Sequence, residues 1–488
     1  MKNNRVKMNF IYNIAYQVLV LILPLITAPY LSRVISGDGI GIYSYTQAFS
    51  NYFVLIAMLG VESYGNREIA RVRDDKEKKE KTFWSIFVIQ FFLTVVLSVI
   101  YVMYVIISDL QYKTIYLLQL FYVISAGFNI NWYFFGMEKF KITVTRNMVI
   151  KIITTIAIFM FVKKPTDLWL YTLIISLGTF ISTIVVWPFL LKEISFRRIT
   201  WFSVKLHIKP NLTLFIPVLA VSLYNVMDKI MLGSMSTYSE VAYYTYAEKI
   251  IQVPVTVIIA LGTVMMPHIT NLISNGREEE CKLLFDKAML FVIFLSTAFT
   301  FGMANLAPVF SDWYYGNDFA RCGLFMVYLS PVIVFKSWAN LVRTQYIIPN
   351  GYDFIYILSV SMGAITNLCI NALMIPKFQG IGAIIGTISA EFIVCFIQIW
   401  KTRKSIQFKL HLVDGLSFFV IGTLMYSIMQ FVGVHLLVNS NFFNMLLRFT
   451  VGTVFYIIAS MCFLLGIKKD ERVVKILENY TTKGLKSL

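Results

Sequence analysis

Charge is scarce in this chain: Asp, Glu, Lys and Arg make up 14% of its 488 residues, where a soluble domain ordinarily carries about 25%. That scarcity excludes a water-solvated globular protein. Histidine is rarer still. His207, His268, His411 and His435 are scattered, with no Cys, Asp or Glu at ligand spacing, so no metal centre is expected. The cysteines, Cys281, Cys322, Cys369, Cys395 and Cys462, stand singly. Without a Cys-x-x-Cys pair they indicate neither a disulfide framework nor a zinc site. A Gly-rich loop ending in Gly-Lys-Ser/Thr, of the kind that cradles ATP phosphates, is missing too, which argues against ATP hydrolysis by this chain.

What is abundant is apolar length. Hydrophobic residues make up 58% of the chain, in recurrent runs of about 20 residues, each long enough to cross a hydrocarbon core about 30 Å thick as a helix. Punctuation by Gly, Pro and charge places spans at 10–34, 41–62, 83–107, 113–137, 146–163, 168–191, 211–234, 241–266, 288–310, 322–345, 353–375, 380–400, 412–436 and 443–467. The expected fold is therefore an all-α polytopic membrane protein with 14 transmembrane helices. The first run begins at Phe10, is broken by Pro24 and Pro29, and lacks a small-residue cleavage site, so it is expected to be retained as a helix.

An even number of spans puts both termini on one side, and Lys and Arg say which side. Most of the 43 Lys and Arg lie in the segments on the side of the N-terminus; Arg33, Lys113, Lys163, Lys164, Arg321 and Lys377 lie on the other. Both termini are expected in the cytoplasm. The net charge of +17 is then explained by orientation and anionic lipid headgroups, and no nucleic acid is needed as a partner. The one long charge run, "GNREIARVRDDKEKKEK" from Gly65 to Lys81, is expected to be a solvated cytoplasmic loop carrying a short amphipathic helix on the headgroups.

The chain also repeats itself. "IGIYSYTQAF" (Ile40 to Phe49) lies over "VAYYTYAEKI" (Val241 to Ile250), and the sixth span, ending at Trp187, lies over the twelfth, ending at Trp400. These matches keep chain order. They imply two pseudo-symmetric six-helix lobes, 1–209 and 210–405, with two further helices in 406–467 and a cytoplasmic tail, 468–488. Six is even, so the lobes share an orientation and flank a central path, as internal repeats do in transporters. The outward loops hold about ten residues or fewer, too little for a catalytic domain.

Charges inside apolar spans are the candidate functional groups, because each costs about 2.5–3.5 kcal/mol near the middle of a helix. Asp228 and Lys229 sit side by side in "SLYNVMDKIMLGS" (Ser222 to Ser234), about 9 Å inside the end of the seventh helix at 1.5 Å per residue. Neighbours on a helix diverge by about 100°, so they are poor partners for each other. A cross-helix pair, Asp228 with Lys249 or Lys229 with Glu248, would satisfy both. A polar cavity and a simple lock between the seventh and eighth helices are the competing explanations, with Lys229 snorkelling in the second. Lys336, inside the tenth span, also needs water or a counter-charge. Arg33 is either an interfacial anchor or a guanidinium fork for a phosphate group. Asn13 and Gln17, one turn apart in the first span, and Gln47 in the second add a neutral polar lining. Arg448 and Lys151 fit snorkelling or helix joining and carry no assigned role.

Four segments carry a resemblance: "PYLSRVISGDGIGIYSY" (Pro29 to Tyr45), "NINWYFFGMEKFKITVTRNMVIK" (Asn129 to Lys151), "MDKIMLG" (Met227 to Gly233), and "TQYIIPNG" with "NALMIPKFQGIGAIIGTISAE" (Thr344 to Gly351 and Asn371 to Glu391). With them the chain resembles, over nearly its whole length, the polysaccharide repeat-unit flippases, the Wzx-type branch of the MOP exporter superfamily. Asn131 and Phe135 stand where that family is expected to have an acid and a glutamine. The resemblance implies a MATE/MOP-like fold in the bacterial cytoplasmic membrane and no enzymatic activity or cofactor. It implies movement of undecaprenyl-diphosphate-linked oligosaccharide from the cytoplasmic to the outer leaflet by alternating access, in O-antigen or capsule biosynthesis. By the matching motifs Arg33 and Lys229 would then hold the diphosphate, joined by Lys249 and Lys336 on the ground of their depth in apolar spans, and Asp228 would couple or pair across helices, as would Glu248 by the cross-helix pairing above. H+ and Na+ are both open as driving ions. Membrane lipids and polysaccharide polymerase machinery are the expected partners. The rival within the superfamily is a multidrug or cation antiporter, which is expected to need an acidic cavity. The rival of another class is a membrane-embedded polymerase or glycosyltransferase, which is expected to need a sizeable outer loop.

Overall fold

The computed structural model describes residues 19–406, 408–435 and 440–467, and among them the chain is helical, with no strand. Asn13, Gln17 and the expected tail at 468–488 lie outside the described residues. In chain order the helices are α1 (Leu19–Val34), α2 (Gly37–Met58), α3 (Val61–Val72), α4 (Lys76–Ile107), α5 (Lys113–Phe128), α6 (Asn131–Gly136), α7 (Phe140–Phe161), α8 (Leu168–Ile184), α9 (Trp187–Leu191) and α10 (Trp201–Met235). After them come α11 (Tyr238–Ser274), α12 (Glu278–Tyr315), α13 (Ala320–Leu329), α14 (Val332–Val342), α15 (Asp353–Phe378), α16 (Gly380–Thr402), α17 (Phe408–His435) and α18 (Asn441–Cys462).

The helices are built for lipid. On α4, Phe92, Val99, Ile106 and Ile107 are exposed while Ser85, Gln90 and Thr94 are buried, the reverse of a helix on a soluble core. In hydrocarbon the apolar side chain belongs outside, and every polar group must find a partner inside. Among the described residues nine helices are long and apolar enough to cross a membrane, or ten if a bent pair is one span. This is a multi-pass membrane protein. The bent pair, Asn317–Leu329 with Val332–Ile347, turns by 46° at Ser330 and Pro331, where proline removes a ladder hydrogen bond.

Two compact units are present. The first comprises Met1–Tyr246 with Asn367–Ala383, and the second Ala247–Thr366 with Ile384–Leu488. In the first, the expected span 113–137 is broken: α5 stops at Phe128 and α6 restarts at Asn131. Side chains of other helices take up carbonyls freed by the break. Gln90, fully buried on α4, donates from Nε2 to the carbonyls of Ala126 and Asn129 and accepts from Trp132 Nε1 at 3.1 Å, while Trp187 Nε1 donates to Phe128 O at 3.1 Å.

The charge run is also more than a loop. Its first part is α3, whose apolar face of Val61, Tyr64 and Ile69 is buried. Gly65 lies so near the Trp132 ring that a Cβ there would sit 2.5 Å from it, so only glycine lets α3 reach α6. Tyr64 Oη pairs with His207 Nδ1 at 2.7 Å, and Arg73 with Glu138 at 2.8 Å. Asp75 then caps α4 by accepting the Lys78 N–H, a bond that holds its carboxyl below the usual carboxylate range.

In the second unit, α12 packs against α17 and α18. Tyr456 Oη donates to Phe294 O at 2.8 Å and Asn305 Nδ2 donates to Gln430 Oε1 at 3.3 Å, so polar side chains join helices whose outer faces are apolar.

Candidate functional site

Asp228 lies on α10 in the first unit, only 3% exposed. Groups from α11 and α15 are among those that hold its carboxylate. Tyr244 Oη, on α11, donates to Oδ2 at 2.6 Å, and the amides of Asn367 and Asn371, on α15, donate to Oδ1 at 2.9 and 2.5 Å. The asparagines are four residues apart, so one helix face presents both. Asn371 Nδ2 also donates to Asn367 Oδ1 at 3.2 Å, and Asn371 Oδ1 is buried with no hydrogen-bond partner. Here a carboxylate and an amide oxygen without a hydrogen-bond partner among the described residues lie close together in the protein interior. Such a group can exchange a proton or accept a hard cation, since both replace hydration with oxygen donors or acceptors. Among the described residues no cluster of three His, Cys, Asp or Glu is arranged to hold a metal.

The second unit holds a different arrangement. Lys336 Nζ, on α14, lies 3.2 Å from Glu391 Oε1, on α16; the lysine is 26% exposed and the glutamate 4%. Lys336 has thus found the counter-charge that its depth in an apolar span requires. From Glu391 the polar positions continue along one face of α16 at Gln398 and Thr402, both buried, with Gln398 Nε2 donating to Ser359 Oγ at 3.0 Å.

The other residues singled out in the sequence are placed as follows. Arg33 ends α1, exposed, with Nη1 donating to Pro29 O at 2.6 Å. Lys229 is half-buried beside Asp228, and Gln47 is half-buried on α2. On α11, Glu248 is half-buried and Lys249 exposed. Arg33, Gln47, Asp228 and Lys229 belong to the first unit; Glu248, Lys249 and Lys336 belong to the second.

Sequence reasoning missed Glu391, Asn367 and Asn371, although Asn371 and Glu391 stand within one of the quoted segments. The signal was there: two amides at helical spacing, and a lone acid in an apolar run. Arg146, at the start of the expected span 146–163, was not singled out either. Arg146 is 9% exposed and donates to Ser182 O, Asn131 Oδ1 and Asn147 Oδ1 at 2.6 to 2.9 Å, tying α6, α7 and α8 together.

Residues 6–273 match the family described as Polysaccharide biosynthesis protein. The chain belongs to this family. As a member of the polysaccharide biosynthesis family it is 22% identical, over 386 residues, to a protein of Shigella dysenteriae named "Putative O-antigen transporter", a match covering 77% of this chain and 94% of that one. Its fold is that of a lipid II flippase, MurJ, in an inward closed conformation, with a TM-score of 0.74 at 15% identity over 94% of this chain and 98% of the other. An inward-facing multidrug resistance MATE family transporter of the MOP superfamily also shares the fold, with a TM-score of 0.60 at 13% identity over 80% of this chain and 94% of that one. The MOP-like fold read from the sequence is thereby upheld, and the named relatives are transporters and flippases, not enzymes.

Proposed function

We propose that this family member is a flippase for lipid-linked oligosaccharide in polysaccharide biosynthesis. The observation that carries the reading is the match along 94% of a protein named as an O-antigen transporter, in a chain whose fold is that of a lipid II flippase. The cargo is an undecaprenyl-diphosphate-linked repeat unit, moved from the cytoplasmic to the outer leaflet by alternating access of two six-helix lobes, 1–209 and 210–405, in a fourteen-helix protein of the bacterial cytoplasmic membrane with both termini cytoplasmic. A diphosphate cannot shed its water into about 30 Å of hydrocarbon unaided, and Arg33, Lys229, Lys249 and Lys336 would replace that water. Gln47, with Asn13 and Gln17, would meet the sugars.

Asp228 is the candidate coupling group, by H+ or Na+, and Glu248 the second. Support for Asp228 comes from its burial, with the amides of Asn367 and Asn371 donating to its carboxylate and the Asn371 oxygen nearby, a place where binding or losing one cation changes the charge of the carboxylate by a whole unit. Polysaccharide polymerase machinery is the expected partner downstream.

The test is reconstitution of the purified chain in liposomes with a labelled lipid-diphosphate oligosaccharide, following its leaflet. Movement without another protein is expected, and its absence under H+ and Na+ gradients of both signs would overturn the reading. In cells, Lys229→Ala or Lys249→Ala should leave expression intact while surface polysaccharide stops appearing. Unchanged polysaccharide would remove the cationic site from the account. Drug or cation efflux in place of lipid movement would favour the antiporter reading that the shared MATE fold keeps as the alternative.

A further inference from the structure

Arg448 has no role in the flippase reading, yet it is the charged residue of α18, seven positions after that helix's start at Asn441. It is half-buried. Its Nε donates to Asn444 Oδ1, one turn back, at 2.8 Å, which matches the lean of helical side chains toward the N-terminus. The guanidinium then lies flat against Gly433 of α17: a Cβ at Gly433 would stand 2.0 Å from Cζ and 2.1 Å from Nη2. A glycine notch in one helix therefore seats a cation carried by the other. Gly433 is near the C-terminal end of α17, where the helix dipole favours positive charge.

This seat does not use the donors that face away from Asn444. Among the described residues no carboxylate stands within ion-pair distance of Arg448, and neither Nη donates to a protein acceptor. Val434 and Phe449, next to the seat in the chain, are exposed at 56% and 54%, so the flanking helix faces look into lipid. A guanidinium presents a planar fork of donors that fits two oxygens of a phosphate. Toward lipid, phosphate is the anion at hand.

We propose that Arg448, seated on Gly433 between α17 and α18, binds the phosphate of a membrane lipid. The shared chemistry is a phosphate ester on an acyl or prenyl chain, and the source is either bulk phospholipid or the diphosphate carrier. Only the carrier rests on the flippase reading.

The purified full-length chain is titrated with phosphatidylglycerol and, separately, with a polyprenyl diphosphate. Bound lipid is counted by native mass spectrometry, with diacylglycerol, which lacks phosphate, and inorganic pyrophosphate, which lacks a chain, as controls. Arg448→Gln should weaken binding of the phosphate lipids about tenfold and leave diacylglycerol unchanged; Arg448→Lys, which keeps the charge but loses the fork, should fall between. Gly433→Ala retains the arginine but pushes the guanidinium off its seat, so it should mimic Arg448→Gln while melting as the wild type does. A loss confined to phosphatidylglycerol assigns the site to bulk lipid, and a loss confined to the polyprenyl diphosphate assigns it to the carrier. Wild-type binding of both lipids by Arg448→Gln overturns the proposal, as does a well-folded Gly433→Ala that binds like the wild type.

Discussion

The two units bury a carboxylate by opposite means. In the first, a phenol and two amides are among the groups that hold Asp228; in the second, the Lys336 ammonium faces Glu391. The physical difference lies in what removing one of these partners leaves behind. An amide taken from Asp228 leaves other donors in place, whereas the lysine taken from Glu391 removes the counter-charge of a carboxylate in the protein interior. Neutral donors can be lost in steps; the charge of an ion pair is lost at once.

Lys336→Met should have the largest effect. Breaking a buried pair by removing one member costs about 3–5 kcal/mol, and the partial exposure of Lys336 puts the expected value near the low end, about 3 kcal/mol. Thermal unfolding in detergent reads it directly. The double variant Lys336→Met with Glu391→Met should recover most of the loss, because no charge is then left to desolvate. A double variant as unstable as the single one would mean that the pair acts through packing and not through charge.

Asp228→Ala comes second. It strands at least the Tyr244, Asn367 and Asn371 donors, and hydrogen bonds between membrane helices average about 0.6 kcal/mol each, so a loss of at least about 2 kcal/mol is expected. Asp228→Asn keeps the shape and one acceptor oxygen and should stay close to wild-type stability. If Asp228 serves coupling, Asp228→Asn nevertheless stops transport in the liposome assay. If it transports at the wild-type rate, Asp228 is a lock and nothing more.

The sequence was legible where one helix, read alone, decides the outcome. Apolar runs revealed the helical, multi-pass character because lipid imposes length and polarity on each segment separately, and the exposed Phe92 and Ile107 of α4 show the same demand in three dimensions. The charges Asp228 and Lys336 stood out for the same reason. Their partners did not, because a partner is a property of two helices: Asn367, Asn371 and Glu391 are ordinary polar residues until the fold brings them to a carboxylate or an ammonium. The same holds for the break after Phe128. It was taken as continuous span because the apolar run does not stop there, and what allows it is Gln90, a residue of another helix that supplies the missing donors. The segment "NWYFFG" reads as distinctive for a reason invisible in one dimension: Trp132 must fit against Gly65 of α3.

The smallest effect tests whether the two amides act through the carboxylate. Each asparagine takes part in two bonds, its own from Nδ2 to Asp228 Oδ1 and the one from Asn371 Nδ2 to Asn367 Oδ1 that they share. Asn371→Ala and Asn367→Ala should therefore each cost about 1 kcal/mol in thermal unfolding. In an Asp228→Ala background each cost should fall to about 0.6 kcal/mol, since only the shared bond is left to lose. The difference between the two backgrounds is the coupling energy of Asp228 with that asparagine. A coupling indistinguishable from zero would show that the amides stabilise α15 without regard to the carboxylate. A coupling as large as that between Lys336 and Glu391 would show that the groups around Asp228 act as one unit.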